Sequence, residues 1–183
     1  MKYFTRIEVE SISQATKCIS CRWLFRFLFR TGARISEAID ISLSDISRDH
    51  IVLRTSKQRG KKLARIIPVE PRFLQSLVKW KGKLPGSIDF YKPVWPASRQ
   101  WYHQALKKSL APSDNRALHA FRHGFAKACL DDGVDLRDLQ RYLGHSSINV
   151  TTKYLTITED YLSKLQAVDF EPAQLLLYKS GKL

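Results

Sequence analysis

Two short β-rich runs, Ile51-Val-Leu-Arg-Thr55 and Arg65-Ile-Ile-Pro-Val69, stand in a chain whose remaining signals are those of helices. They flank a basic, glycine-containing turn, the pattern of an antiparallel hairpin with a longish loop. On either side the chain is punctuated by helix starts and stops. Thr5-Arg-Ile-Glu8 is a capping box that opens a helix at residue 6. A second helix runs from about Ser20 to Arg30 and closes on Gly32 as a left-handed cap, with Trp23 to Phe29 as its buried stretch. Arg34 to Ile41 reads as a short helix with Arg34 and Glu37 on one face. Pro71 suits the first turn of a helix through Trp80, and Lys81 to Pro96 reads as loop with a short strand. Ser98 caps a helix to about Leu110, another spans Arg116 to Leu130, and Asp135 caps a short one that ends at Gly144. Further helices are expected after Ser146 or Ser147 and from Thr158 to Val168. The expectation is one α+β domain, mainly α, with a small antiparallel sheet packed on a helical core. It occupies residues 1–169, and residues 170–183 form a tail.

A chain of 183 residues can bury one real core. No apolar run approaches the roughly 20 residues that span a bilayer, and no secretory signal opens the chain, so the expected location is cytoplasmic. Lys and Arg number 31 against 17 acidic residues, giving a formal net charge of +14. That excess implies a polyanionic partner. A membrane face would call for a basic amphipathic helix, whereas the charge here is dispersed, with one knot at Lys57-Gln-Arg59-Gly-Lys61-Lys62. Nucleic acid is therefore favoured and no membrane is expected. Cys18 and Cys21 have CxxC spacing without a second pair or spaced histidines, so they read as packing residues, as does Cys129. Trp80, Trp95 and Trp101 read as core.

The chemistry lies in His119-Ala-Phe-Arg122-His, followed by Leu143-Gly-His145 and Tyr154. A phenol attacking a phosphodiester creates a phosphorane with extra negative charge. Guanidinium forks match its equatorial oxygens bidentately; Arg122 is one such fork and Arg34 a second. With a pKa of about 10 the phenol needs an electropositive site or a base. The leaving 5′-oxygen needs a proton, which Lys57 at the mouth of the basic hairpin can supply. Asp131, Asp132, Asp135 and Asp138 read as a solvated helix connection rather than a metal cage, and Gly60-Lys-Lys is no P-loop. No metal and no cofactor are expected. Taken singly, each residue also has a plain reading. Tyr154 would be a packing tyrosine, His119 a satisfied core histidine, and Arg34 with Glu37 a surface ion pair. Arg59, Lys61 and Lys62 read either as contacts to backbone phosphates or as a solvated turn.

Together, these residues resemble the tyrosine recombinase (phage integrase) family. Thr31-Gly-Ala-Arg34-Ile-Ser-Glu37-Ala is similar to its first arginine motif, and Lys57 ahead of Arg65-Ile-Ile-Pro-Val to its hairpin lysine. His119-Ala-Phe-Arg122-His-Gly-Phe-Ala resembles its His-x-x-Arg box, and Leu143-Gly-His145-Ser-Ser with Tyr154 its closing histidine and nucleophile. The resemblance runs in order from about Thr5 to Asp169. It implies that Arg34, Arg122 and His145 bind the scissile phosphate, with Glu37 orienting Arg34. Lys57 would be the general acid and His119 would assist proton transfer. Tyr154 would form a 3′-phosphotyrosyl link and release a 5′-hydroxyl. It further implies double-stranded DNA as substrate, a homo-oligomer that is a tetramer on synapsed DNA, and accessory DNA-bending proteins. The apolar Leu175-Leu-Leu-Tyr178 in the tail would dock on a neighbouring protomer. Most family members carry a separate N-terminal helical domain that clamps the other face of DNA. Here the catalytic domain is expected to begin almost at Met1, as in the short fimbrial-switch invertases. A relaxing topoisomerase of the type IB kind and a DNA-binding regulator that does not cut are the competing readings.

Overall fold

The computed structural model describes residues 2–58, 61–83 and 89–144, and for 55–58 and 61–63 the backbone alone. Helix α1 (Arg6–Ala15) begins as its capping box dictates: the Glu8 amide donates to the Thr5 hydroxyl at 3.3 Å, and the Thr5 amide to the Glu8 carboxylate at 2.8 Å. Helix α2 (Ile19–Thr31) is the spine of the core. Cys21, Leu24, Phe25, Phe27 and Leu28 are all buried on it, and Gly32 closes it with φ 59°. Helix α3 (Ile35–Ile39) leads through a 3-10 turn at Leu43–Asp45 into the antiparallel strands β1 (His50–Gln58) and β2 (Lys61–Pro68). Helices α4 (Pro71–Gly82), α5 (Arg99–Ser109), α6 (His119–Asp131) and α7 (Leu136–Leu143) follow. Helix α2 packs against α1 and α6, α7 packs on α6, and the hairpin lies on α3, with Ile51, Leu53 and Ile67 turned to the core.

The N-terminal segment is pinned to α6 by a close approach that only glycine permits. Phe4 donates its amide to the Ala120 carbonyl at 3.2 Å, and its ring meets Phe121 at 4.6 Å. A Cβ at Gly124 would stand 2.0 Å from the Phe4 carbonyl oxygen. Arg116 completes this junction. It reaches the Tyr3 carbonyl, Glu8 and Asp114, with its guanidinium 4.2 Å from the Phe4 ring centre.

Several expectations are corrected. Arg34 is the N-cap of α3 rather than a helical residue, because Glu37 folds back to accept its amide. The strands run on to pair Gln58 with Lys61, past an irregularity between Thr55 and Gln58, so the connection is shorter than a longish loop. Helix α4 continues to Gly82. Helix α6 starts at His119 instead of Arg116, whose amide is taken by the Asp114 carboxylate at 2.9 Å. Of the stretch Lys81 to Pro96 expected as loop with a short strand, residues 89–96 hold one isolated bridge, Ser42 with Pro93, and residues 84–88 lie outside the described residues. Trp95 is core and Trp80 stacks on it, but Trp101 is 44% exposed, since Tyr102 and Leu106 take the inward face of α5. Cys21 and Cys129 are buried, and Cys18 is the N-cap of α2, its Sγ accepting from the Cys21 amide at 3.4 Å. The acidic connection is more than solvated: Asp131 pairs with the buried Lys127, Asp135 caps α7, and burial pushes the Asp132 carboxyl up to about 6. The helices expected beyond Ser146 and the tail 170–183 lie outside the described residues. Among the described residues, no helix is long and apolar enough to cross a membrane.

Candidate active site

The last turn of a helix leaves carbonyls without intrahelical partners and carries the negative end of the helix dipole, so it attracts cations. Helix α7 ends in this way at Leu143, where Gly144 turns away with φ 64°. Three guanidiniums from three distant segments meet there. Arg122, from the first turn of α6 and only 1% exposed, donates through Nη1 to the Gly32 carbonyl at 2.7 Å and through Nη2 to the Leu143 carbonyl at 2.7 Å. Arg65, from β2, donates through Nη1 to the same Leu143 carbonyl at 2.6 Å. Arg34 reaches the Gly144 carbonyl through Nη2 at 3.3 Å.

Glu37 is the carboxylate among these cations and is buried. Its Oε1 accepts from Arg34 Nη1 at 2.9 Å. Its Oε2 accepts from the Arg34 amide at 2.9 Å and from Arg65 Nη2 at 2.6 Å. Arg34 keeps 28% of its side chain exposed, more than the 16% of Arg65, so it is held by Glu37 without being buried. A group of three positive charges and one negative is a site for an anion, and these planar forks suit a phosphate.

His119 opens α6 beside this group. Burial lowers its pKa first, and the positive charges of Arg122, Arg34 and Arg99 lower it further. Its ring meets His123 edge-on at 4.5 Å. His123 is pushed down to about 4 by burial, then by His119 and Arg122. His123 is therefore neutral near pH 7, and the downward shift at His119 favours the same state. A neutral imidazole can take up a proton there. Among the described residues no cluster of three or more His, Cys, Asp or Glu side chains could hold a metal ion.

The fold thus brings together Arg34, Glu37, His119 and Arg122 of the residues expected from sequence. Lys57 lies on β1, and Lys61 and Lys62 lie on β2, as backbone positions whose side chains are not described. Arg59, His145 and Tyr154 lie outside the described residues. Arg65 is a member that sequence reasoning missed. The signal was there: residue 65 shares its strand face with the buried Ile67, so a charged side chain was directed inward and required a partner.

Residues 2–160 match the model of the phage integrase family. The tyrosine recombinase XerD of Corynebacterium glutamicum is 34% identical over 156 residues, covering 79% of this chain and 50% of that protein. The chain spans about half the length of the curated relatives it matches. Among solved structures, the catalytic domain of bacteriophage HP1 integrase superposes with a TM-score of 0.68 at 21% identity, covering 94% of this chain and 96% of that one. The XerH site-specific recombinase bound to its difH substrate gives 0.64 at 17% identity, covering 90% of this chain and 53% of that one. At such identities the likeness is one of fold.

Proposed function

The chain belongs to the phage integrase family, and on that premise we propose that it is a site-specific DNA recombinase working through a 3′-phosphotyrosyl intermediate. The observation that carries this reading is the meeting of Arg34, Arg65 and Arg122 at the carboxyl end of α7, with Glu37 pairing the first two. In the proposed reaction the Tyr154 hydroxyl passes its proton to the neutral His119 imidazole as its oxygen attacks the scissile phosphorus, and the bond from phosphorus to the 5′-oxygen breaks. Lys57 gives that oxygen its proton. Arg34, Arg122 and His145 hold the non-bridging oxygens, and His119 assists proton movement. The new ester conserves the energy of the bond it replaced, so a 5′-hydroxyl from another strand can reverse the step without ATP. Electrostatic stabilisation of this kind supplies most of the rate where charge builds up on a transferring phosphoryl group.

Double-stranded DNA is the proposed substrate, with Arg59, Lys61 and Lys62 on its backbone phosphates, consistent with a net charge of +14. The same reading has the protein act on bacterial, phage or plasmid DNA in the cytoplasm. It assembles as a tetramer on two synapsed sites with DNA-bending accessory proteins, and residues 170–183 dock on a neighbouring protomer. The test is strand transfer. A target duplex is selected from a random-sequence pool, nicked beside the cleavage position, and supplied with a second duplex bearing a free 5′-hydroxyl. A covalently joined hybrid strand is expected. Relaxation of supercoils with no hybrid product would contradict the recombinase reading.

A further inference from the structure

Arg65 occupies a position that the phosphate chemistry alone does not require. Its guanidinium ties together three parts of the fold: strand β2, the start of α3 through Glu37, and the carbonyl end of α7 through Leu143. Both acceptors are shared with the arginines assigned to phosphate. Glu37 also holds Arg34, and the Leu143 carbonyl also holds Arg122. Arg65 is itself mostly covered, with 16% of its side chain exposed, and its Nε has no hydrogen-bond partner among the described residues. Burying a guanidinium with one donor unpaired is costly, and a well-packed apolar residue is commonly as stabilising as a buried ion pair. Stability is thus a poor account of this residue, whereas geometry is a good one.

We propose that Arg65 is a positioning residue of the phosphate site, a strut that holds Glu37, and through it Arg34, against the end of α7 where Arg122 is anchored. The proposal rests on the recombinase reading. Two consequences set it apart from a general structural role. Lysine in this place keeps the charge but offers a point rather than a fork, and it fails to reach Glu37 and Leu143 together. The effect also runs through the phosphate clamp, not through protonation of the leaving group.

The experiment measures single-turnover formation of the protein–DNA adduct on a nicked suicide duplex, with DNA well above its dissociation constant. Wild type, Arg65→Lys, Arg65→Gln, Glu37→Gln and the Arg65→Gln/Glu37→Gln double variant are compared. Adduct formation by wild type must come first; its failure would overturn the recombinase reading itself, and the strut with it. Given a reactive wild type, Arg65→Lys and Arg65→Gln should each slow the step by about a hundredfold, the order that a misplacement of about 1 Å costs. DNA affinity should stay within a few-fold. The double variant should be no slower than the worse single variant, because the two residues act as one unit. On DNA with sulfur in place of the bridging 5′-oxygen, which departs without needing a proton, the deficit should persist. Rescue by that sulfur would place the effect at the acid and overturn the proposal. So would a near-normal rate for Arg65→Lys, multiplicative effects in the double variant, or rate losses matched by equal losses of DNA affinity. Should Arg65→Gln fail to fold, the lysine variant decides.

Discussion

Arg122 shows how a side chain can be both structural and chemical. With 1% exposure and both terminal nitrogens on carbonyl oxygens, its fork is locked before any substrate arrives. Lysine cannot span the Gly32 and Leu143 carbonyls together. Arg122→Lys should lower single-turnover cleavage by at least about a hundredfold, the order that losing one transition-state donor costs. DNA binding should change little; a rate near wild type would remove the residue from the clamp. His123 gives a pH prediction. Its ordinary pKa of 6.5 falls to about 4 in the fold, so between these values the unfolded chain binds a proton that the folded chain refuses. Stability therefore rises with pH through that window and is lost on acidification. His119 acts in the same direction, whereas Asp132, raised to about 6, opposes it. Denaturant midpoints measured from pH 7 to pH 4 should thus fall less steeply for His123→Gln than for wild type. Parallel curves would contradict the assignment.

At the scale of elements, two glycines allow strain and collision to be separated. Gly133 and Gly144 both have positive φ, 80° and 64°. A Cβ at Gly133 meets nothing within 4 Å, whereas one at Gly144 would stand 2.5 Å from Arg65 Nη1. Gly133→Ala should cost about 1 kcal/mol from left-handed strain alone. Gly144→Ala should cost more, and should also slow cleavage by displacing Arg65 from the Leu143 carbonyl. Equal unfolding free energies and equal cleavage rates for the two variants would refute this. What the sequence made legible follows the same division between local and distant causes. Thr5, Gly32, Ser98 and Asp135 mark helix ends because caps are satisfied within a few residues, so those boundaries could be read directly. The start of α6 could not, because Arg116 is drawn toward Tyr3 and Glu8 across the fold. The true length of the hairpin was likewise hidden in an irregular ladder between Thr55 and Gln58. Arg34, Glu37, His119 and Arg122 were recognisable by type and spacing. Arg65 had only its strand-face parity with Ile67 to mark it, since its partners lie 28 and 78 residues away in sequence.

For the whole molecule, the candidate site exists only once the chain is folded, because its guanidiniums come from α6, β2 and the loop before α3. A net charge of +14 should make DNA binding steeply salt-dependent. Affinity is expected to fall on the order of a thousandfold between about 50 and 200 mM salt, as counterion release at several phosphates demands. A flat dependence by fluorescence anisotropy would argue against the proposed DNA interface. The central claim is that a phenol displaces a sugar oxygen at a phosphate held by Arg34 and Arg122. Its most direct measurement is the covalent adduct on a nicked suicide duplex, digested and mapped by mass spectrometry. The account predicts a DNA-linked peptide carrying the modification on Tyr154, and a Tyr154→Phe protein that binds the same DNA and forms no adduct. An adduct on another residue, or an undiminished adduct from Tyr154→Phe, would contradict it.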